Sequence, residues 1–223
     1  MSASLLGLTL ALAVFDWLAA EKHWRRIHFI LKPAVLLALI AWFSINTGWK
    51  GAALWFGLGL VCSLLGDVIL ELPERFFLPG LVAFLLAHVF YIVGFSQSPL
   101  VWIPSALVVG LAVLGAFAFV LSRLRQGLAH IEGGKRMLFP VIAYSLTISV
   151  MLASAWLCLC RPAWSTGAAL AAGAGAFLFF CSDSLLAYDR FVHPFPHREL
   201  LVMGCYHLGQ IGIVAGVILA GLG

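Results

Sequence analysis

The chain has 223 residues, of which 63% are hydrophobic and only 10% are charged, with a formal net charge of +4 at neutral pH. A soluble domain of this length carries about 25% charged residues and could not bury so much apolar surface. The composition therefore excludes an ordinary soluble globular protein and a basic nucleic-acid-binding surface, and it predicts an integral membrane protein.

Eight apolar runs are long enough to span a bilayer, since a spanning helix needs about 20 mostly apolar residues. They are predicted at residues 3–20, 29–46, 51–71, 77–96, 100–121, 137–159, 166–187 and 199–221. The predicted fold class is therefore all-α, a bundle of eight transmembrane helices that forms a single domain over residues 1–223. No positive charge precedes the first run, so we interpret it as a retained helix and not as a secretory signal.

The basic residues predict the orientation of the bundle. Of the 13 lysines and arginines, eleven lie in or beside the first, third, fifth and seventh connections, and the other two are Lys50 and Arg161. Short loops rich in basic residues stay in the cytoplasm. The odd-numbered connections are therefore expected in the cytoplasm and both termini outside.

Two aspartates interrupt apolar runs at equivalent places. Asp67 lies in "LVCSLLGDVILEL" of the third helix, and Asp183 lies in "FLFFCSDSLLAYD" of the seventh. Both helices run inward and both aspartates precede the inner end by roughly four or five residues, which places the carboxyls at one depth, about 6–8 Å below the surface. A charge at bilayer depth costs roughly 2.5–3.5 kcal/mol, so both residues are functional candidates.

A pair of neighbouring carboxyls can act as one acid and one base, because the two groups cannot both ionise easily. General acid–base hydrolysis needs this combination. The alternative for each aspartate is a structural one, in which it caps a loop or pairs with a lysine or arginine at the interface. That alternative is favoured for Asp16 and Asp189, each of which stands beside a basic connection.

Other polar side chains lie deep in the predicted helices. His88 and Tyr91 are three residues apart on the fourth helix and so share a face. Tyr144 on the sixth helix and Tyr206, His207 and Gln210 on the eighth are also deep in their helices, and His207 and Gln210 share a face. Such groups face protein or a cavity, although hydrogen bonding between helices explains them equally well. Lys32, before Pro33 at the inner start of the second helix, is expected either to snorkel or to hold a phosphate at the pocket mouth.

Short sequence matches suggest an internal repeat. "KPAV" and "FPVI" begin the second and sixth helices, "SLLGDVIL" and "CSDSLL" occupy the third and seventh, and "AHVFY" and "CYHLGQ" the fourth and eighth. A shift of four helices relates these pairs, which gives a 4+4 parallel repeat with both halves in the same orientation. Transporters use such repeats, and so can enzymes.

On these residues the sequence resembles the YhhN-like family of multi-helix membrane proteins, whose animal members include lysoplasmalogenases. The resemblance is carried by Lys32-Pro33 and by residues 63–70, 76–91, 140–151, 175–187 and 206–210. It implies about eight spanning helices and hydrolysis of the vinyl ether bond of lysoplasmenyl-ethanolamine or lysoplasmenyl-choline, which gives a fatty aldehyde and a glycerophospho-alcohol. The short chain resembles a bacterial member, which implies the inner membrane. The basic connections and the depth of the two aspartates place the expected active site towards its cytoplasmic leaflet.

The resemblance also implies roles for the candidate residues. Asp67 and Asp183 would be catalytic, one donating a proton to carbon and the other stabilising the oxocarbenium ion and taking a proton from water, with the assignment left open. The expected substrate-binding residues are Lys32, Ser63, His88, Tyr91, Tyr144, Ser182, Tyr206, His207 and Gln210. No metal or other cofactor is required, and the expected partners are a lysophospholipid substrate and membrane lipids, without nucleic acid.

Three other functions stay open on the residues alone. A proton-coupled transporter of lipid or a small solute would use intramembrane acids and a parallel repeat equally well. A zinc-dependent membrane hydrolase would use His88, His207 and one aspartate. In a purely structural membrane module the polar side chains would only join helices. The GxSxG and HExxH signatures of other hydrolases are absent from the sequence.

Overall fold

The fold is a bundle of eight helices, seen in a computed structural model that describes residues 2–101, 104–131 and 133–222. The helices are α1 (Ser2–Glu21), α2 (Arg25–Thr47), α3 (Ala53–Leu70), α4 (Phe77–Phe95), α5 (Pro104–Leu128), α6 (Gly134–Trp156), α7 (Thr166–Phe191) and α8 (Arg198–Ala220). The described ranges contain no β-strand, and each of the eight helices is long and apolar enough to cross a membrane. The predicted all-α fold class is confirmed, and the protein is an integral membrane protein.

The main difference from the predicted bounds is at the end of α5, where residues 122–128 were expected in a connection and are helical. The run "SRLRQ" reads as polar, but Leu124 and Leu128 are four residues apart and share one helix face. Both are almost fully buried in a small cluster with Val141 of α6. Burial of this single apolar stripe extends the helix, while its charged residues remain at the surface.

Close backbone contact joins α7 to α8. A Cβ atom at Gly209 would lie 2.8 Å from the backbone nitrogen of Phe179, and one at Gly175 would lie 2.5 Å from that of Ile213. Small residues at such an interface let two helices approach until their backbones touch. This contact fixes α7 against α8 with little freedom.

The core lies between α2, α3, α4, α6, α7 and α8 and is rich in aromatic rings. Phe179 is fully buried, and its ring centroid lies 4.8 Å from that of His88 and 5.3 Å from that of Tyr206. Gly59 of α3 leaves room for the ring of Tyr91, since a Cβ there would lie 2.3 Å from a ring carbon. The core therefore fixes the polar rings that reach towards the inner end of α3 and α7.

The helices pair in chain order, α1 with α2, α3 with α4, α5 with α6 and α7 with α8. Further contacts join α4 to α6 and α2 to α8. These two contacts correspond to each other under a shift of four helices. The pairing is thus compatible with a 4+4 repeat, which stays a prediction.

Candidate active site

A cavity of about 340 Å³ lies at one end of the bundle. His23 and Trp24, between α1 and α2, and Arg190 and Arg198, near the connection of α7 to α8, lie at its edge. It is therefore at the end that carries the odd-numbered, basic connections. Its apolar lining includes Leu70, Phe77, Leu81, Leu124 and Val141.

Asp67 lines this cavity from the last turns of α3 and is 1% exposed. Its Oδ2 accepts a hydrogen bond of 2.7 Å from the hydroxyl of Tyr206. The Nζ atom of Lys32 lies 3.7 Å from its Oδ1, beyond hydrogen-bond distance, and donates instead to Glu71 at 3.0 Å. Oδ1 has no hydrogen-bond partner among the described residues. The carboxyl is thus held by one oxygen only.

Asp183 lines the same cavity from α7, and its side chain is 12% exposed. Its Oδ2 accepts a hydrogen bond of 2.5 Å from the hydroxyl of Tyr144 on α6. The Nε2 atom of His88 on α4 lies 3.1 Å from the same oxygen. Two groups therefore converge on one oxygen of Asp183, and both come from helices other than its own.

The two carboxyls thus lie on the wall of one cavity, each with its own set of partners. Four of the expected substrate-binding residues line it with them: Lys32, Tyr144, Ser182 and Tyr206. The hydroxyl of Ser182 donates to the carbonyl of Val202 at 2.9 Å, so it also joins α7 to α8. That these residues bind substrate, and that the aspartates act as a pair, stay predictions.

The other expected binding residues lie behind the cavity wall. The hydroxyl of Tyr91 donates to the amide oxygen of Gln210 at 2.6 Å, and the amide nitrogen of Gln210 donates to Ser63 at 2.9 Å. This buried network connects α4, α8 and α3, and none of its three residues is among those that line the cavity. Its evident contribution is to hold these helices in register.

His88 and His207 belong to separate clusters. His88 contacts Asp183 and Tyr144, whereas His207 accepts a hydrogen bond of 3.1 Å from the indole of Trp17 on α1. Within the described residues, no group of three or more His, Cys, Asp or Glu side chains is arranged to hold a metal ion. The ligand set that the zinc alternative requires is therefore not assembled from these two histidines.

Lys32 is buried at the wall of the cavity. It is 5% exposed, so its side chain does not snorkel to the surface, and its ammonium group is already engaged by Glu71. Its ammonium group also lies 3.7 Å from the carboxyl of Asp67. That Lys32 holds the phosphate of a substrate stays a prediction.

Two residues of this cluster were missed by sequence reasoning, His28 and Glu71. His28 lies 2.8 Å from Asp16 through Nδ1 and 3.6 Å from Glu71 through Nε2. Ionisable groups therefore follow one another from Asp16 through His28, Glu71 and Lys32 to Asp67. Glu71 stands four residues after Asp67, the spacing of one helix face, which is the one signal that could have identified it. Asp16 is fully buried against His28, in line with its structural interpretation, and Asp189 forms an ion pair with Arg198.

Comparison with known proteins gives a consistent set of relatives. The YhhN family matches residues 27–217. A mouse protein named Lysoplasmalogenase TMEM86B is 34% identical over 201 residues, which cover 89% of this chain and 78% of that protein. Its human counterpart of the same name is 34% identical over 80% of this chain and 69% of its own length. The membrane protein YhhN of Escherichia coli is 26% identical over 94% of this chain and 98% of its own. No solved structure matches significantly.

Proposed function

The chain belongs to the YhhN family, and we propose that it is a membrane hydrolase that cleaves the vinyl ether bond of lysoplasmalogens. The products would be a fatty aldehyde and a glycerophospho-alcohol such as glycerophosphoethanolamine or glycerophosphocholine. The observation that carries the proposal is the single cavity lined by Asp67 and Asp183, in a chain one third identical to proteins named lysoplasmalogenase.

The chemistry of a vinyl ether suits two carboxyls. Hydrolysis begins with protonation of the outer vinyl carbon, which leaves an oxocarbenium ion; water then adds, and the resulting hemiacetal collapses to an aldehyde and an alcohol. The reaction needs one group that donates a proton to carbon and one that takes a proton from water. Glycosidases use two carboxyls for a similar cation, which supports the same use of Asp67 and Asp183 by analogy.

The cavity suits a lysophospholipid in its size and charge. A volume of about 340 Å³ lies at the lower end of the range for small-molecule sites. Its lining carries both signs of charge, with Arg25 and Arg198 beside Glu71 and Glu199. A zwitterionic head group carries a phosphate anion and an ammonium cation. The arginines of the lining are complementary to the phosphate, and the glutamates are complementary to the ammonium. The apolar part of the lining would accommodate the start of the alkenyl chain.

The position of the cavity supports an active site that faces the cytoplasm. It lies at the end of the bundle where eleven of the 13 basic residues are found. Short basic connections remain on the cytoplasmic side, so the substrate would enter from the inner leaflet of a bacterial inner membrane.

The test is to incubate the purified full chain with lysoplasmalogens of ethanolamine and choline and to measure the aldehyde and the water-soluble phosphate ester together. We expect both products from the unchanged protein. Asp67→Asn and Asp183→Asn should each lower kcat at least about 100-fold, which is the usual contribution of a general acid or base. Glu74→Gln is the matched control, because Glu74 is 81% exposed and pairs with Arg190 at the surface. Near-normal release of aldehyde by both aspartate variants would contradict the proposed chemistry.

Proton-coupled transport is the second candidate, and the chain of ionisable groups from Asp16 to Asp67 is the observation that favours it. Transporters place such relays within the membrane. Uptake of a lysophospholipid into proteoliposomes that follows an imposed pH gradient, with no aldehyde formed, would support transport over hydrolysis.

A further inference from the structure

We infer that Asp67 is the proton donor of the proposed hydrolysis and Asp183 its base, and that Glu71 is the positioning residue that makes this division by holding Lys32. The inference rests on the proposed function and assigns roles that the sequence leaves open.

The positive groups near Asp67 are hydrogen-bonded to other carboxyls. The Nζ atom of Lys32 lies 3.0 Å from Glu71 and 3.7 Å from Asp67, so its hydrogen bond goes to Glu71. Asp16 has its own partner in His28 at 2.8 Å. The buried cation and the nearby imidazole are thus engaged by Glu71 and Asp16. Asp67, in contrast, has no hydrogen bond to either Lys32 or His28.

One of the two carboxyl oxygens of Asp67 accepts no hydrogen bond. Its Oδ2 is occupied by Tyr206, whereas Oδ1 is buried and has no hydrogen-bond partner in the described part of the chain. An ionised carboxylate oxygen that is buried without a donor is costly. Protonation of Asp67 lowers that cost, because the buried group is then neutral. The proton would then sit on Oδ1, which accepts no hydrogen bond and lies 3.7 Å from the ammonium group of Lys32.

Asp183 has the opposite surroundings. The hydroxyl of Tyr144 donates to its Oδ2, and the imidazole of His88 reaches the same oxygen from another helix. A hydroxyl that donates to a carboxylate stabilises its ionised form. Its side chain is also more exposed than that of Asp67, 12% against 1%. Asp183 is therefore the group suited to take a proton from water.

The roles give a balanced reaction. The Asp67 hydroxyl proton forms a new C–H bond at the outer vinyl carbon with the electron pair of the double bond, which leaves an oxocarbenium ion and the Asp67 carboxylate. Water attacks the cationic carbon and loses a proton to Asp183. In the hemiacetal, Asp67 takes the hydroxyl proton while Asp183 gives its proton to the glycerol oxygen as that C–O bond breaks. Both carboxyls return to their initial state, and one water is consumed.

The experiment compares the pH dependence of kcat/KM among variants with single changes around each aspartate. The titratable and charged groups that face Asp67 are Lys32 on α2, Glu71 after α3, Asp16 on α1, Tyr91 on α4 and Tyr206 on α8. Those that face Asp183 are His88 on α4 and Tyr144 on α6. A donor acts in its protonated form, so Asp67 governs the alkaline limb of the profile, where activity falls as pH rises. A base acts when ionised, so Asp183 governs the acidic limb.

The signs of the expected changes differ between variants. In Glu71→Gln, Lys32 is released to Asp67, which then ionises more easily, so the alkaline limb should move to lower pH by about one unit. In Lys32→Gln the nearby cation is lost, so the alkaline limb should move to higher pH. In Tyr144→Phe, Asp183 loses the hydroxyl that donates to its Oδ2, so the acidic limb should move to higher pH while the alkaline limb stays in place.

The control and the contrary outcomes keep the two proposals separate. Glu74→Gln, a change outside the cavity, should leave both limbs unmoved. The division of roles is overturned, while hydrolysis stands, if Glu71→Gln or Lys32→Gln moves the acidic limb. It is also overturned if these variants leave both limbs where they are in the unchanged protein. If the unchanged protein releases no aldehyde, the proposed function fails and the roles fail with it. If Glu71→Gln does not fold, the other two variants still decide the assignment. Lys32→Gln should move only the alkaline limb, and Tyr144→Phe should move only the acidic limb.

Discussion

Gln210 shows how single polar residues hold the deep part of the bundle together. Both ends of its amide are used, one by Tyr91 of α4 and the other by Ser63 of α3, and the three side chains are buried. In a lipid environment water cannot replace a missing partner in the core. The network therefore orients α8 towards α3 and α4, which brings Tyr206 to Asp67.

We expect Gln210→Leu to destabilise the protein by about 1–2 kcal/mol, because the hydroxyls of Tyr91 and Ser63 lose their partners. The loss should appear as a lower midpoint of thermal unfolding in detergent. Gln97→Leu is the matched control, since Gln97 is exposed and donates only to the carbonyl of Val93 on its own helix. Equal midpoints for the two variants would show that the network contributes nothing to stability.

The residues of the cavity, and those directly behind its wall, were only partly predictable. Asp67, Asp183 and His88 were found because a charged or ionisable group is conspicuous within an apolar helix. Glu71 was not, because it lies at the edge of a connection, where acids are common and usually solvated. Its importance depends on the side chain of Lys32 turning inward, which is decided by packing and not by the local sequence.

At the scale of elements, the contact of α7 with α8 determines the distance between Asp183 and the partners of Asp67. The glycines at this contact leave no room for a side chain, since their nearest neighbours are backbone atoms and not flexible side chains. Backbone cannot move aside without moving the whole helix. Any enlargement here should therefore shift one wall of the cavity against the other.

Gly209→Ala should consequently lower both the unfolding midpoint and the activity, since its Cβ would lie 2.8 Å from the backbone nitrogen of Phe179. Gly204→Ala on the same helix is the control, because a Cβ there meets nothing within 4 Å. The measurement is thermal unfolding in detergent together with aldehyde release at saturating substrate. A Gly209→Ala protein as stable and active as Gly204→Ala would show that the two helices have freedom to separate.

The existence of each helix followed from length and apolar content, and that part of the fold was predictable. The end of α5 was not, because the polar residues between Leu124 and Leu128 hide a two-residue apolar stripe whose partner, Val141, belongs to another helix. A stripe so short is recognisable only when its partner is known. The pairing of the helices was not predictable either, because the pattern of apolar residues in one helix does not show which other helix it packs against.

At the scale of the whole molecule, the charge of the connections and the position of the cavity point to the same end. A common depth for the two aspartates is predictable from the sequence, but depth alone does not say whether they face each other around the bundle. The structure places both on one cavity because α2 and α8 bring Lys32 and Tyr206 to Asp67, while α4 and α6 bring His88 and Tyr144 to Asp183. That rotational placement is a property of the assembled bundle.

The orientation of this bundle is open to direct measurement by labelling single cysteines in spheroplasts with a maleimide that cannot cross the membrane. Gln97→Cys, near the α4–α5 connection, and Lys22→Cys, between α1 and α2, are both at exposed positions, and the five native cysteines would first be replaced by alanine or serine. Because the basic connections should remain inside, we expect Gln97→Cys to react in intact spheroplasts and Lys22→Cys to react only after permeabilisation. The reverse pattern would place the cavity on the outer face, and the proposed substrate would then have to come from the outer leaflet.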